Sequence, residues 1–126
     1  MSDSNNTRVL VTGAGGFIGH HLCHYLARQG SAVVGIDIKT PSGNAEPRSA
    51  SFRSEVIDFR DRSKVTPLLR QADVVFHLAS AHLQINLPEE VYRDVNVRGV
   101  ASLLSLARES GARRFIHVST VGVYGN

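Results

Sequence analysis

Short apolar runs alternate along this chain with stretches whose apolar residues recur at helical spacing, and glycine or aspartate marks several of the junctions. Arg8–Thr12 (RVLVT) predicts a first strand. Phe17–Gln29 predicts a helix closed by Gly30, the residue type that most readily follows a helix end. Ala32–Ile38 (AVVGIDI) predicts a second strand and Ser54–Ile57 a third. Arg62–Arg70 reads as a second helix with Asp61 placed to cap it, and Asp73–Leu78 (DVVFHL) as a fourth strand. Glu89–Ser110 reads as one long helix with Val100, Leu103, Leu104 and Ala107 on its core face and Asn96 on the same stripe. Arg114–Ser119 predicts a fifth strand, while Lys39–Ser51 and Leu83–Pro88 read as loops. Strands alternating with helices imply an α/β fold with a Rossmann-like, doubly wound parallel sheet. The expected strand order is 3-2-1-4-5, with a ligand at the switch point between the first and fourth strands.

The junction that says most is Val9–Gly19, VLVTGAGGFIG: a buried strand, a glycine turn, then an amphipathic helix. Gly13 lets the chain turn sharply where a Cβ would clash. Gly15 and Gly16 leave room for a pyrophosphate to touch the main chain under the N–H groups of the helix start. Gly19 lets the first helical turn lie close to the strand or to the ligand. The spacing is Gly13-x-x-Gly16-x-x-Gly19, because Ile18 stands where the ordinary dinucleotide pattern wants glycine or alanine.

TGAGGFIG resembles the cofactor turn of the extended short-chain dehydrogenase/reductase family, the nucleotide-sugar epimerases and dehydratases. The resemblance implies cofactor contacts along Gly13, Gly15, Gly16, Phe17, Ile18 and Gly19. It covers nearly the whole chain, since further matches fall in order at successive strand ends. Asp37 closes the second strand, where a carboxylate accepts hydrogen bonds from the adenosine ribose and repels a 2′-phosphate. That favours NAD over NADP, although Lys39 nearby leaves the phosphorylated form open. Asp58, with Phe59 beside it, matches the family aspartate that bonds the adenine amino group. Leu78-Ala79-Ser80 follows His77 as the family's HLAA run does, its small residues letting the backbone approach the cofactor; His77 itself reads as a packed strand residue. Asn96 in DVNVRGV matches an asparagine that supports the active-site strand end. Ser119-Thr120 with Val123-Tyr124-Gly125 resembles the family's S-[ST]-x-x-VYG. By that match Thr120 holds the substrate oxygen, with Ser119 as its alternative.

The chemistry is incomplete on its face. The family uses a Tyr-x-x-x-Lys pair, and neither Lys39 nor Lys64 lies four residues after a tyrosine. Residues 1–126 therefore read as a truncated NAD(P)-binding domain, incomplete at its C-terminal side and without its substrate-binding part. The expected function is the NAD-binding portion of a nucleotide-sugar epimerase- or dehydratase-like oxidoreductase, this chain alone being inactive. Two alternatives stay open: a non-catalytic dinucleotide-binding sensor or interaction module, and an NAD(P)-dependent reductase of small carbonyl or steroid-like substrates. A reading frame that continues into Tyr-x-x-x-Lys excludes the first.

Composition narrows the remaining classes. At 126 residues, 42% hydrophobic and 20% charged, the chain has the balance of a globular protein able to bury a core. No apolar run approaches the ~20 residues of a membrane span, and MSDSNNTR lacks a signal-peptide core. The pI of about 9.5 reflects a net charge of only +3 with scattered arginines, which argues against a nucleic-acid surface. Cys23, the single cysteine, excludes an internal disulfide and suits a reducing cytoplasm; its neighbours make it a small buried residue. His20 and His24 are four apart, but nothing adjacent completes a metal site, so solvated surface histidines are expected. With few helices for one sheet face and an unblunted fifth strand, a homodimer or other self-association is expected.

Overall fold

A computed structural model describes residues 7–39, 52–81 and 87–119. Five strands, β1 (Arg8–Thr12), β2 (Ala32–Asp37), β3 (Phe52–Val56), β4 (Val74–His77) and β5 (Arg114–His117), form one sheet in the order β3-β2-β1-β4-β5. All four pairings are parallel. The helices are α1 (Phe17–Arg28), α2 (Arg62–Arg70), α3 (Glu89–Arg93) and α4 (Val100–Glu109), the last two joined by a π-helical segment, Asp94–Gly99.

A parallel sheet must be covered on both faces, and two apolar clusters divide that task. Val9, Val11 and Val33 face Cys23 and Ala27 of α1. Leu10, Ile36 and Val75 face Val65 and Leu69 of α2 and Leu103, Leu106 and Ala107 of α4. β1 alternates between the two layers, so neighbouring residues serve opposite cores, as its central place requires. Cys23 is completely buried, and desolvation pushes its thiol up to about 12, so it packs as a small apolar side chain.

The helix ends follow the sequence. Asp61 accepts a hydrogen bond from the Lys64 N–H at the start of α2, and Gly30, at φ +95°, follows the end of α1. Three readings need correction. β3 begins at Phe52 rather than Ser54, because its register on β2 runs from Phe52–Val33 to Val56–Asp37. The long helix Glu89–Ser110 is not uniformly α-helical. Each α-helical residue advances about 100°, and the wider π turn shifts the phase of everything before it relative to α4. Asn96 therefore leaves the core stripe and is exposed. Within α4 the buried face is Leu103, Leu106 and Ala107, while Leu104 is 48% exposed.

This placement is checked by a pair of truncations read in urea unfolding. Leu106→Ala is expected to cost about 2–5 kcal/mol, and Leu104→Ala less than about 1 kcal/mol. The opposite ranking restores the α-helical stripe.

Candidate cofactor crevice

The carboxyl ends of β1, β2 and β4 meet at the switch point, where β2 and β4 leave β1 on opposite sides. Gly13 sits there at φ +71°. A Cβ on it would lie 2.7 Å from the Ala79 nitrogen and 2.9 Å from the Leu78 carbonyl carbon, so the turn lies directly on the backbone after β4. A Cβ on Gly19 would lie 2.1 Å from the Gly13 carbonyl oxygen, a distance no side chain tolerates. Gly19 is thus needed for the turn's own closure. Gly16 is less constrained by protein, since its Cβ would meet only the Gly13 oxygen at 3.4 Å. Phe17 is 82% exposed and Ile18 62%, both at the mouth of the turn.

Asp37 reaches this turn from the end of β2. Its Oδ2 accepts the Gly15 N–H at 2.9 Å and its Oδ1 accepts the Lys39 N–H at 3.1 Å. A Cβ on Gly15 would lie 3.0 Å from Oδ2, so Gly15 makes room for the carboxylate.

Beneath the turn lies a buried polar knot that the sequence did not disclose. Thr12 Oγ1 is 2.7 Å from His77 Nδ1 and accepts the Leu78 and Ala79 N–H groups at 3.1 Å each. Both N–H groups can only donate, so the single hydroxyl proton goes to His77 Nδ1. His77 is consequently neutral with its proton on Nε2, an atom that is buried and has no hydrogen-bond partner among the described residues. Its ring packs edge-on to Phe59 at 4.6 Å and stacks with His117 at 5.7 Å. Burial first, and the neighbouring His117 second, hold its pKa down at about 4. His77 is a packed strand residue, as expected, with its tautomer fixed by Thr12.

Asn96 and Asp58 complete the rim. Asn96 Oδ1 accepts the Ala81 N–H at 2.9 Å while Nδ2 donates to the Ala81 carbonyl at 2.8 Å, pinning the segment after β4. Asp58 follows β3, and Arg60 holds its carboxyl below the usual carboxylate range by hydrogen bonds. Phe59 is buried in the α2–α4 core. Ser80 is exposed beside Ala79, and Ser119 is exposed just past β5; Thr120 lies outside the described residues. The structure thus brings Gly13–Gly19, Asp37 and Ala79 together and sets Asp58 and Asn96 at either side. His20 and His24 are half-buried rather than solvated, their rings 4.5 Å apart with His24 beside Phe52. Among the described residues no group of three or more His, Cys, Asp or Glu is placed to hold a metal. No helix among them is long and apolar enough to cross a membrane. A concavity of about 390 Å³ lies at the opposite end of the sheet, lined by Arg8, Ala32, Arg53 and Gln71. It lacks the helix start and strand carboxyl ends that favour a phosphate.

The His77 geometry sets a pH dependence. Its folded pKa lies below the ordinary 6.5, so the unfolded chain binds the proton first as pH falls. The stabilisation is complete above about pH 6.5 and is lost as pH falls towards about 4, by on the order of 3 kcal/mol. Urea titrations across this window are expected to show that slope in the native chain and its loss in His77→Gln. Equal slopes in both would refute the neutral, buried His77.

Known proteins are similar to this chain in sequence and fold. A UDP-glucose 4-epimerase from Mycolicibacterium smegmatis is 38% identical over 130 residues, covering 94% of this chain and 40% of that protein. An N-acetyl-α-D-glucosaminyl-diphospho-ditrans,octacis-undecaprenol 4-epimerase from Escherichia coli O157:H7 is 32% identical over 123 residues, covering 95% and 34%. The crystal structure of UDP-glucose-4-epimerase from Stenotrophomonas maltophila, with bound NAD and formylated UDP-arabinopyranose, superposes with a TM-score of 0.76 at 28% identity, covering 96% and 39%. This chain therefore spans between a third and two fifths of these relatives. Residues 9–126 match the family described as NAD dependent epimerase/dehydratase. With that match running from the first strand to the last residue, the chain belongs to the NAD dependent epimerase/dehydratase family.

Proposed function

We propose that this chain binds NAD across the carboxyl ends of β1 and β4. The pyrophosphate rests on Gly13–Gly19, the adenosine ribose on Asp37, the adenine against Asp58, and the nicotinamide end passes Ala79 and Ser80. The observation that carries this reading is the Asp37 carboxylate seated on the Gly15 N–H, an anionic acceptor beside the glycine turn of the kind a ribose hydroxyl needs. NAD is bound in the Stenotrophomonas maltophila relative, at similar fold. In a protein of the relatives' length, this domain serves the conversion of a nucleotide sugar by epimerisation or dehydration, in the cytoplasm. NAD supplies the hydride acceptor when bound. Thr120, with Ser119 beside it, holds the substrate oxygen. Proton transfer needs the Tyr-x-x-x-Lys pair, which residues 1–126 do not contain.

Asp37→Ala tests the cofactor reading by calorimetry. Loss of the ribose acceptor is expected to weaken NAD by about tenfold, from a charge-assisted hydrogen bond of roughly 1.5 kcal/mol. NADP, no longer repelled, is expected to weaken less or to gain. Undiminished NAD affinity with unchanged discrimination against NADP would contradict the site.

The same reading extends to association between copies. Among the described residues β5 is the last strand at one edge of the sheet, with Val118 42% exposed just beyond it. Such an edge pairs with another chain unless blunted. Sedimentation is expected to show concentration-dependent self-association; a stable monomer at high concentration, with no dye-accessible apolar surface, would contradict it.

A further inference from the structure

Asp58 does not stand alone at the adenine end of the crevice. Arg60 wraps back on it: the Arg60 N–H reaches Oδ1 at 2.9 Å, Nε reaches both oxygens at 3.1 and 3.2 Å, and one terminal nitrogen reaches Oδ2 at 2.8 Å. The other terminal nitrogen donates to Asp94 at 2.6 Å, the first residue of the π-helical segment. Arg60 thereby spans two carboxylates 36 residues apart in sequence, using a planar fork that lysine lacks.

The partner surface is shaped for this contact. A Cβ on Gly99, the last residue of the π segment, would lie 3.0 Å from Phe59 Cε2 and 3.1 Å from Arg60 Cγ. Phe59 and Arg60 thus lie flush against the π turn. Asn96 projects from that same turn to the backbone of Ala81. One short helical segment consequently braces both the loop after β3 and the loop after β4.

We infer that Arg60 is the positioning residue for adenine recognition, orienting the Asp58 carboxylate towards the base's amino group by anchoring it through Asp94 to the π turn. The inference rests on the proposed seat of adenine at Asp58. A carboxylate has about four acceptor sites. Arg60 brings three N–H groups that make four contacts, two on each oxygen, and so fixes the plane of the carboxylate that an amino proton meets. Its hydrogen bonds also hold the carboxyl below the usual carboxylate range, so the group stays an acceptor. Free of Arg60, the side chain would swing, and the bond to the base would carry the entropy of fixing it.

The test compares AMP with purine riboside 5′-monophosphate, which lacks only the amino group, by amide-shift titration of the full 126-residue chain. The native chain is expected to prefer AMP by about tenfold. Arg60→Lys keeps the charge but not the fork. It is expected to bring that preference below about threefold by weakening AMP alone, with the analogue unchanged. Asp94→Asn, which releases only the outer anchor, is expected to act in the same direction and decides the matter if Arg60→Lys does not fold. Equal weakening of both ligands in the folded variants would reduce Arg60 to a structural role and overturn the inference. So would an undiminished preference in Arg60→Lys alongside its loss in Asp58→Asn, an outcome that spares the adenine seat. A preference that survives Asp58→Asn would remove the adenine seat itself, and the inference with it.

Discussion

The backbone at Gly13 and the backbone at Ala79 approach so closely that no Cβ fits between them, and the architecture of the crevice follows from that contact. It can form only because β1 and β4 are hydrogen-bonded neighbours whose register brings Thr12 opposite His77. Thr12 then closes the junction by receiving the Leu78 and Ala79 N–H groups and giving its own proton to His77. Gly19 completes the turn by letting the helix start lie on the Gly13 carbonyl. Three polar partners are satisfied around one hydroxyl, at the cost of a buried Nε2 proton without a partner among the described residues. The result is a rigid rim, whose rigidity aligns the helix start, the Asp37 carboxylate and the small residues after β4.

Much of the frame was legible because it obeys local rules. Val9–Thr12 and Val74–His77 are apolar enough to be buried on both faces, as central parallel strands must be. Asp61 and Gly30 stand where caps belong. The glycine turn was legible because Gly13, Gly15 and Gly19 each have a steric duty, although the duty of Gly15 is to admit Asp37 as much as any ligand. The edge of the sheet was harder to place. β3 reads Phe52-Arg53-Ser54-Glu55-Val56, mostly exposed, so no burial pattern marks its first residue and pairing with β2 alone decides it.

What escaped the sequence depends on contacts between distant residues or on a break in periodicity. Asn96, Val100, Leu103 and Ala107 fit an α-helical stripe, and nothing in DVNVRGV announces a π turn. The tertiary demand reveals it: Asn96 is drawn to Ala81, and Gly99 is pressed against Phe59 and Arg60. Thr12 and His77 are 65 residues apart and look like ordinary strand residues singly. Arg60 stands between Asp58 and Asp61 with nothing in the sequence to mark it, since only its fork to Asp58 and Asp94 gives it a role. π turns recur at functional positions, and here the reason is mechanical, because the extra residue re-aims a side chain towards the strand end it supports.

The central claim is that the cofactor lies over the carboxyl ends of the strands and not in the concavity at their amino ends. Amide chemical-shift mapping of the chain during an NAD titration tests it most directly. The account predicts saturable shifts concentrated at Gly13–Gly19, Asp37–Lys39, Asp58–Arg60 and Ala79–Ala81. Shifts confined to Arg8, Ala32, Arg53 and Gln71, or none at saturating NAD, would contradict it.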